Sequence, residues 1–334
     1  MYIWDVMDTD RKGLLVTGEQ LAAGPGFRAC VMSFFDGMLD HHRELLTYGA
    51  DLCDGDRSHL LVILCTVDRQ GPLPPKASPA LLSPDECLQM LNSMGYHHIM
   101  PWIVSPSCST YEVPRWPVDP GLLQKKTGVL VPGADIWDNT LFGPLLQKGT
   151  QESALPASHV DGTFHGKDTG GHGALVNLIG EGRVEEALQC MGYAFPLGGH
   201  VVEGNKIGRT IGYPTANLRV ADHLKVLPGQ GVYAALVNSR QNWYRGMINI
   251  GIRPTLDMEN VTIEAHLFDF EEDIYGQWIS ISFLARIRDE MRFNSLTELK
   301  LQLNRDSSKA KEVLEKHDPG TVTGKFVTAG IKSS

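Results

Sequence analysis

The chain of 334 residues has no excess of positive charge, no closely paired cysteines and no long apolar run. Its 30 Lys and Arg residues are outnumbered by 39 Asp and Glu residues, which gives a formal net charge of −9. Because a nucleic-acid-binding surface needs clustered cations, we expect no nucleic-acid partner. The six cysteines include no Cys-x-x-Cys pair, so a zinc site of that type is excluded. No apolar run approaches the roughly 20 residues of a membrane span, so we expect no membrane partner and a cytoplasmic location.

The first half of the sequence alternates between strand-like and helix-like segments. Short apolar runs predict strands, and the segments between them carry apolar residues at helical spacing. Ser83, Pro84 and Glu86 form a capping box with proline at the first helical position, so a helix begins there, and Gly95 ends it. This alternation predicts a parallel α/β sheet with right-handed crossovers. The predicted elements are strands at 29–35, 60–67 and 99–104 and helices at about 40–53 and 84–95.

Between residues 105 and 173 the periodicity is poor, and Pro, Gly and Trp are frequent. Residues 129–131 are a candidate for one more strand. Residues 162–168 superficially suggest a phosphate loop, but the glycine spacing is one residue short and Asp replaces Ser or Thr, so we interpret them as an ordinary loop. Residues 174–191 predict a helix that is split near residue 181, and residues 192–196 predict a linker.

The second half of the chain changes character. Runs of strand length alternate with turn residues at nearly regular intervals, and no crossover helix fits between them. This pattern predicts an antiparallel barrel or sandwich. Ser295 and Glu298 form a second capping box that begins a helix, which carries Leu296, Leu299 and Leu303 as an apolar docking stripe. The predicted strands are 200–203, 231–237, 243–250, 261–270 and 277–286.

A glycine-rich stretch from residue 204 to residue 217 stands out in this half. It carries three glycines at every fourth position and two cations: Gly204, Gly208, Gly212, Lys206 and Arg209. Glycine lets the backbone approach a ligand closely, successive N–H groups can bind an anion, and the cations add charge for phosphate. Thr215 and Asn217 lie in a Pro-Thr-Ala-Asn turn and offer two oxygen ligands for Mg²⁺. On composition alone, a surface hairpin with solvated charges is an equal alternative.

The predicted strand that contains residues 261–267 holds a candidate proton acceptor. Alternation places Thr262, Glu264 and His266 on one face, opposite an apolar face. Glu264 is therefore held on a rigid element, although a solvated face of an edge strand is the commoner case. The stretch 249–255 is a second turn marked by glycine and proline, and we expect it to form another wall of the site.

Taken together, these motifs resemble the riboflavin kinase family. The signature of that family is similar to Gly204-x3-Gly208-Arg209-x2-Gly212-x-Pro214-Thr215-Ala216-Asn217. The resemblance covers about residues 196–314 and implies a small Greek-key antiparallel β-barrel with a C-terminal helix. The motifs that follow in the family's order are 231–234, 249–255, Glu264, 275–276, Arg288 and Phe293.

This resemblance implies that ATP phosphorylates the ribityl 5′-hydroxyl of riboflavin, in the presence of Mg²⁺, to give FMN. Glu264 would accept the hydroxyl proton, and Thr215 and Asn217 would hold the metal and the γ-phosphate. Phosphoryl transfer needs mainly positioning and charge neutralisation, so such a set of groups is sufficient. ATP and its phosphates would be bound by Gly204, Lys206, Gly208, Arg209, Gly212, Thr215 and Asn217, and the flavin by Asn249, Gly251, Pro254, Thr255 and Arg288.

The first half resembles the Rossmann-like FMN adenylyltransferase domain of bacterial bifunctional riboflavin kinase/FAD synthetases. That family's first motif has two histidines around a Leu-Gly pair, whereas here only His42 aligns, with Leu39 in place of the first histidine and His41 in place of the glycine. A Ser-Thr-x-x-Arg element that contacts phosphate is replaced by residues 171–176. The loss of a donor and a cation at a pyrophosphate transition state costs orders of magnitude in rate. We therefore expect adenylyltransfer to be weak or absent unless His41 substitutes for the lost histidine.

The two resemblances imply three segments. Residues 1–192 would form a degenerate nucleotidyltransferase domain, residues 193–318 a riboflavin kinase domain and residues 319–334 a flexible tail. The leading hypothesis is a riboflavin kinase that acts on riboflavin and ATP as a monomer or weak oligomer. A second hypothesis retains both activities, and a third is a non-catalytic flavin- or nucleotide-binding regulatory protein. Glu264 argues against the third, because a pure binder needs no base.

Overall fold

The computed structural model describes residues 27–67, 79–104, 123–132, 157–160, 171–204, 207–220, 222–240, 242–254 and 259–317. It divides the chain into two compact units. Unit 1 comprises Met1–Ser78 and Leu82–Thr169, and unit 2 comprises Pro79–Leu81 and Gly170–Ser334. The domain boundaries that we predict at residues 192 and 318 remain a prediction.

Unit 1 is built on a five-stranded parallel sheet, which confirms the predicted α/β class. The strands are β1 (Phe27–Ser33), β2 (Leu60–Val67), β3 (Ile99–Val104), β4 (Leu123–Pro132) and β5 (Ala157–Val160), in the order β3-β2-β1-β4-β5. The helices are α1 (Asp40–Asp51) and α2 (Pro84–Ser93). β4 is longer than the predicted strand at 129–131, and β5 was not predicted.

Local signals set the boundaries of α2. The Ser83 hydroxyl accepts from the Glu86 backbone N–H at 3.2 Å, and the Glu86 carboxylate accepts from the Ser83 N–H at 2.8 Å. Gly95 follows the helix with a φ of 83°, a left-handed conformation that favours glycine. The predicted capping box and the predicted end of this helix are therefore confirmed.

Unit 2 is a closed six-stranded antiparallel barrel with helices before and after it. The strands are β6 (Phe195–Val202), β7 (Ala216–Val220), β8 (Gly231–Ser239), β9 (Asn242–Pro254), β10 (Glu259–Leu267) and β11 (Trp278–Arg288). The helices are α3 (His172–Gly180), α4 (Val184–Met191), the short α5 (Ile207–Thr210) and α6 (Leu296–Glu315). The barrel order is β10-β7-β6-β11-β8-β9, in which β11 returns beside β8 after the β8-β9-β10 meander. That arrangement is a Greek key.

Three segments that we predicted as turns or linkers are strands in the structure. β6 begins at Phe195, inside the predicted linker, β7 begins at Ala216, inside the predicted turn, and β9 continues to Pro254. Because β6 contains glycines, its composition did not predict a strand. A Cβ on Gly198 would collide with the ring of Trp278, and a Cβ on Gly199 would collide with backbone atoms of the neighbouring strand β7. Their small size is therefore needed for packing within the barrel.

The helix α6 docks on the barrel through residues further along its length than predicted. Ala310 and Leu314 are fully buried in a core cluster with barrel residues, and Leu303 packs against that cluster. Leu296, which we expected to lead the docking stripe, is 56% exposed. The prediction was wrong at the first turn because an apolar periodicity gives the face of a helix but not the point at which the helix meets its neighbour.

Several predictions lie outside the described residues. They concern the loop at 162–168, Lys206, Thr255 and the tail from 319 to 334. In the part of the chain that is described, no helix is both long enough and apolar enough to cross a membrane.

Candidate functional site

A cavity of about 300 Å³ opens into unit 2 between strands of the barrel, the glycine-rich stretch and α6. This volume is at the lower end of the range for small-molecule sites. Its walls combine polar groups with a large apolar area. The lining residues are Gly208, Ile211, Tyr213, Thr215, Asn217, Val232, Met247, Asn249, Glu264, His266, Arg288, Glu290, Met291, Phe293, Leu299 and Leu303.

Glu264 is one of the polar residues that line the cavity. β10 pairs with two strands at this point, so Glu264 faces Asn217 on β7 in register and Asn249 on β9 in register. The Thr215 hydroxyl, just before β7, donates to the Glu264 carboxylate at 3.4 Å. Because β10 lies inside a closed barrel, the edge-strand alternative does not apply to Glu264.

The oxygen donors around Glu264 fit a hard divalent cation. Thr215, Asn217 and Glu264 all line the cavity and offer a hydroxyl, an amide oxygen and a carboxylate. The Thr215 hydroxyl contacts the Glu264 carboxylate, and Asn217 is the register partner of Glu264 on β7. Oxygen ligands of this type, completed by phosphate oxygens and water, are those that Mg²⁺ prefers. The residues present therefore fit the predicted metal.

The three glycines of the glycine-rich stretch are required for different steric reasons. A Cβ on Gly204 would overlap the side-chain amide of Asn217, and a Cβ on Gly208 would overlap the backbone carbonyl of Tyr213. Gly212 has open space around it but adopts a φ of 87°. Arg209 belongs to α5, between Gly208 and Gly212. The glycines therefore allow Asn217 and the turn after α5 to take their places in the cavity wall.

His266 is a lining residue whose role the sequence does not reveal, although alternation places it on the same face as Glu264. Its Nδ1 lies 2.8 Å from the Pro214 carbonyl oxygen, so Nδ1 carries the hydrogen and donates. The His266 ring also packs against Tyr213 and Phe268, at centroid distances of 5.0 and 5.6 Å. Burial lowers the pKa of His266, and the positive charge of Lys311 acts in the same direction. His266 thus holds the residue before Thr215 in place as a neutral donor.

Another part of the cavity lining comes from the end of β11 and the residues that follow it. Arg288 carries positive charge there, and Glu290 carries a second negative charge. A Cβ on Gly251 would collide with the Glu290 carboxylate, so that carboxylate rests on the bare backbone of β9. No sequence pattern predicts that Glu290 lines the cavity, because it lies beyond the last residue of β11. Pro254 is placed only by its backbone, at the end of β9 opposite Glu259.

His42 in unit 1 lies in the first turn of α1 and is 5% exposed. Its Nδ1 accepts from the Leu39 backbone N–H at 3.1 Å, so its hydrogen is on Nε2. The Nε2 atoms of His42 and His41 lie 3.1 Å apart, which makes His42 the donor and His41 the acceptor when both rings are neutral. The two histidines therefore satisfy each other, and the preceding turn has left-handed φ values at Phe35, Gly37 and Met38.

Comparison with protein families identifies the unit that contains the cavity. Residues 191–314 match the model of the riboflavin kinase family, Flavokinase, and this range contains the whole barrel and nearly all of α6. We call residues 191–314 the flavokinase domain, after the family model that they match. The cavity built around Glu264 lies entirely within this domain.

Two curated relatives match part of this chain. The bifunctional riboflavin kinase/FMN adenylyltransferase of Haemophilus influenzae is 39% identical over 139 residues, which are 41% of this chain and 44% of the relative. The enzyme of the same name from Escherichia coli is 35% identical over 169 residues, which are 50% of this chain and 53% of the relative. The chain thus matches about half the length of these relatives.

A solved structure is similar to the flavokinase domain and to most of the remaining chain. It is titled as a macrolide-efflux protein from Streptococcus pneumoniae, is 25% identical and has a TM-score of 0.67. The match covers 89% of this chain and 98% of that protein. This similarity to the solved structure supports the fold described above for each of the two units.

Proposed function

We propose that the flavokinase domain transfers the γ-phosphate of ATP to the ribityl 5′-hydroxyl of riboflavin and so produces FMN and ADP. The observation that carries this proposal is that Glu264, Asn217 and Thr215, neighbours on adjoining strands, line a cavity that also has a large apolar area. The names of the relatives support the choice of riboflavin as the acceptor. The oxygen of the 5′-hydroxyl attacks the γ-phosphorus, the bond from that phosphorus to the bridging oxygen of ADP breaks, and the hydroxyl proton passes to Glu264.

Each residue contributes to position or charge. Glu264 is fixed on β10 between two strands, so its carboxylate can orient the hydroxyl and accept its proton. Thr215 and Asn217 would hold Mg²⁺, which when bound neutralises charge on the phosphate oxygens. The backbone around Gly208 would receive the phosphates, and the apolar lining from Met291 to Leu303 would receive the flavin ring.

We further propose that the chain makes little or no FAD from FMN. The only aligned histidine, His42, is buried and bonded to Leu39 and His41. Residues 171–176, which stand in place of a phosphate-binding Ser-Thr-x-x-Arg element, form the start of α3, and the N-cap residue Gly171 provides no side-chain cap. The cytoplasmic location and the monomeric or weakly oligomeric state remain predictions from the sequence.

A product assay tests both proposals. The full chain is incubated with riboflavin, ATP and Mg²⁺, and riboflavin, FMN and FAD are separated by chromatography. We expect FMN to accumulate, FAD to stay near background, and EDTA to abolish FMN formation. The absence of FMN would contradict the kinase proposal and favour a flavin- or nucleotide-binding regulatory protein. Accumulation of FAD would show that the chain is fully bifunctional.

A further inference from the structure

The helix α6 carries a buried carboxylate that has no role in the chemistry described above. Asp306 is 2% exposed, in a part of the helix that otherwise docks through apolar residues. Aspartate is almost never buried without partners, because the charged form loses its hydration. Both oxygens of Asp306 are indeed bonded: Oδ2 accepts from Nε of Arg288 at 2.9 Å, and Oδ1 accepts from the Gln302 side chain at 2.8 Å.

The partner of Asp306 is the arginine of the cavity wall. Arg288 is the last residue of β11, and its side chain is 15% exposed. Its Nε donates to Asp306, and its Nη1 donates to the Asp289 carbonyl oxygen at 2.8 Å. Nη2 donates to no residue in the part of the chain that the structure describes. The guanidinium group is therefore fixed through two of its nitrogens, and the third is available to a ligand in the cavity.

We propose that Asp306 is a positioning residue that acts through Arg288 on the bound flavin. This inference rests on the proposed function, and it names the ligand group as an oxygen acceptor of riboflavin, such as a carbonyl oxygen of its ring system. By holding Nε, Asp306 fixes the rotamer of Arg288 before the substrate arrives. The entropy cost of ordering a long side chain is then not subtracted from the binding free energy. The apolar residues beside Arg288, including Phe293 at 5.7 Å from the guanidinium carbon to the ring centroid, belong to the side of the cavity that suits a flavin ring.

A purely structural ion pair makes a different prediction. If the pair only fastened α6 to β11, its loss would lower stability and affect both substrates in proportion to the fraction of folded protein. A positioning role changes the riboflavin KM and leaves the ATP KM unchanged, because in the proposed function ATP is bound by the residues around Thr215 and Gly208.

The test uses Asp306→Asn, Arg288→Gln and the double variant in the full chain. For each we would measure kcat, the KM for riboflavin and the KM for ATP, and also the riboflavin Kd from quenching of flavin fluorescence. We expect Asp306→Asn to raise the riboflavin KM and Kd about tenfold, which is the scale of one charged hydrogen bond. The ATP KM should stay within about twofold, and the double variant should be no worse than Arg288→Gln alone.

The matched control is Glu312→Gln, which makes the same kind of change at an exposed carboxylate of α6 that forms an ion pair with Lys316. It should leave all four quantities unchanged. The proposal would be overturned if the double variant raised the riboflavin Kd by the product of the two single effects of Asp306→Asn and Arg288→Gln. Equal changes in the riboflavin KM and the ATP KM would also overturn it.

A second variant covers the case in which Asp306→Asn does not fold. Arg288→Lys keeps the charge but offers only a single ammonium group, which cannot hold Asp306 and the ligand in the same way. The proposal expects its riboflavin Kd to rise as for Arg288→Gln, and a wild-type Kd would contradict it. If wild-type protein forms no FMN but binds riboflavin, the proposed function fails while the fluorescence comparison still tests the role of Asp306.

Discussion

At the scale of single residues, the glycine-rich stretch illustrates how one motif combines several requirements. Gly204 leaves room for the amide of Asn217, Gly208 leaves room for the carbonyl of Tyr213, and Gly212 supplies a left-handed backbone. The sequence suggested a single reason, namely close approach of the backbone to phosphate. The structure adds that Gly204 and Gly208 also make room for other parts of the cavity wall.

A substitution at Gly204 should therefore act on metal binding. We expect Gly204→Ala to displace the Asn217 amide, to lower kcat at least about tenfold and to raise the Mg²⁺ concentration needed for half-maximal activity. Steady-state kinetics over a range of Mg²⁺ concentrations would check this. Gly180→Ala is the control, because Gly180 ends α3 with open space around it. A Gly204→Ala variant with wild-type Mg²⁺ dependence would contradict this account of Gly204.

His266 should make the stability of the barrel depend on pH. Burial lowers the pKa of His266 in the folded chain, so below about pH 6.5 the unfolded chain binds a proton that the folded chain resists. The stability contributed by His266 is thus complete above about pH 6.5 and declines as the pH falls from there towards the folded-state pKa. Lys311 on α6 adds to this effect, whereas the bond to Pro214 opposes it.

Hydrogen exchange, measured by mass spectrometry on the barrel strands between pH 7 and pH 5, would detect this pH dependence. We expect His266→Asn to show a smaller loss of protection than the wild type on acidification, because the asparagine amide can donate to the same carbonyl but does not titrate. Equal pH dependence in the two proteins would indicate that other groups are responsible.

At the scale of elements, α6 is held to the barrel by its second half. Leu314 is fully buried in the cluster that also contains Val232 and Leu236 of β8. Leu314→Ala should lower the free energy of unfolding of the barrel by about 2–5 kcal/mol. Leu301→Ala makes the same change at a side chain that is 55% exposed, and surface substitutions usually change stability by less than about 0.5 kcal/mol. Hydrogen exchange of β8 would separate the two variants, and equal protection in both would contradict the docking geometry.

Elements with strong local signals could be predicted from the sequence, and those formed by tertiary pairing could not. β2 and β3 are continuous apolar runs, and α2 has a capping box, so their bounds were predicted within a residue or two. β7 consists of Ala-Asn-Leu-Arg-Val and has no such signal. It forms because β6 and β10 flank it in the closed barrel and bond its backbone.

The candidate site shows the same division. Glu264, Thr215 and Asn217 were predicted from motifs and alternation, and the structure brings them to one wall of the cavity. Glu290 and Asp306 were not predicted. Their places depend on contacts with residues far away in the sequence, and no local sequence pattern indicates such contacts. Asp306 lies on α6, 18 residues beyond Arg288.

At the scale of the whole molecule, the chain consists of two compact units, and the support for a functional site differs between them. Unit 2 contains the flavokinase domain and a cavity lined by Glu264, Thr215 and Asn217. Unit 1 has a five-stranded parallel sheet, and its His42 is bonded to Leu39 within its own turn. We therefore propose that unit 2 carries out the chemistry of the chain.

The central claim is that Glu264 is the base for phosphoryl transfer to riboflavin. The most direct measurement is the rate of transfer of γ-³²P from ATP to riboflavin in a single turnover, for the wild type, for Glu264→Gln and for Glu271→Gln on the exposed loop after β10. Since general-base catalysis contributes about 10²–10⁴-fold, we predict a loss of that size for Glu264→Gln, with the riboflavin Kd within about threefold of the wild type and Glu271→Gln unchanged. A Glu264→Gln variant that forms labelled FMN at the wild-type rate would contradict the claim.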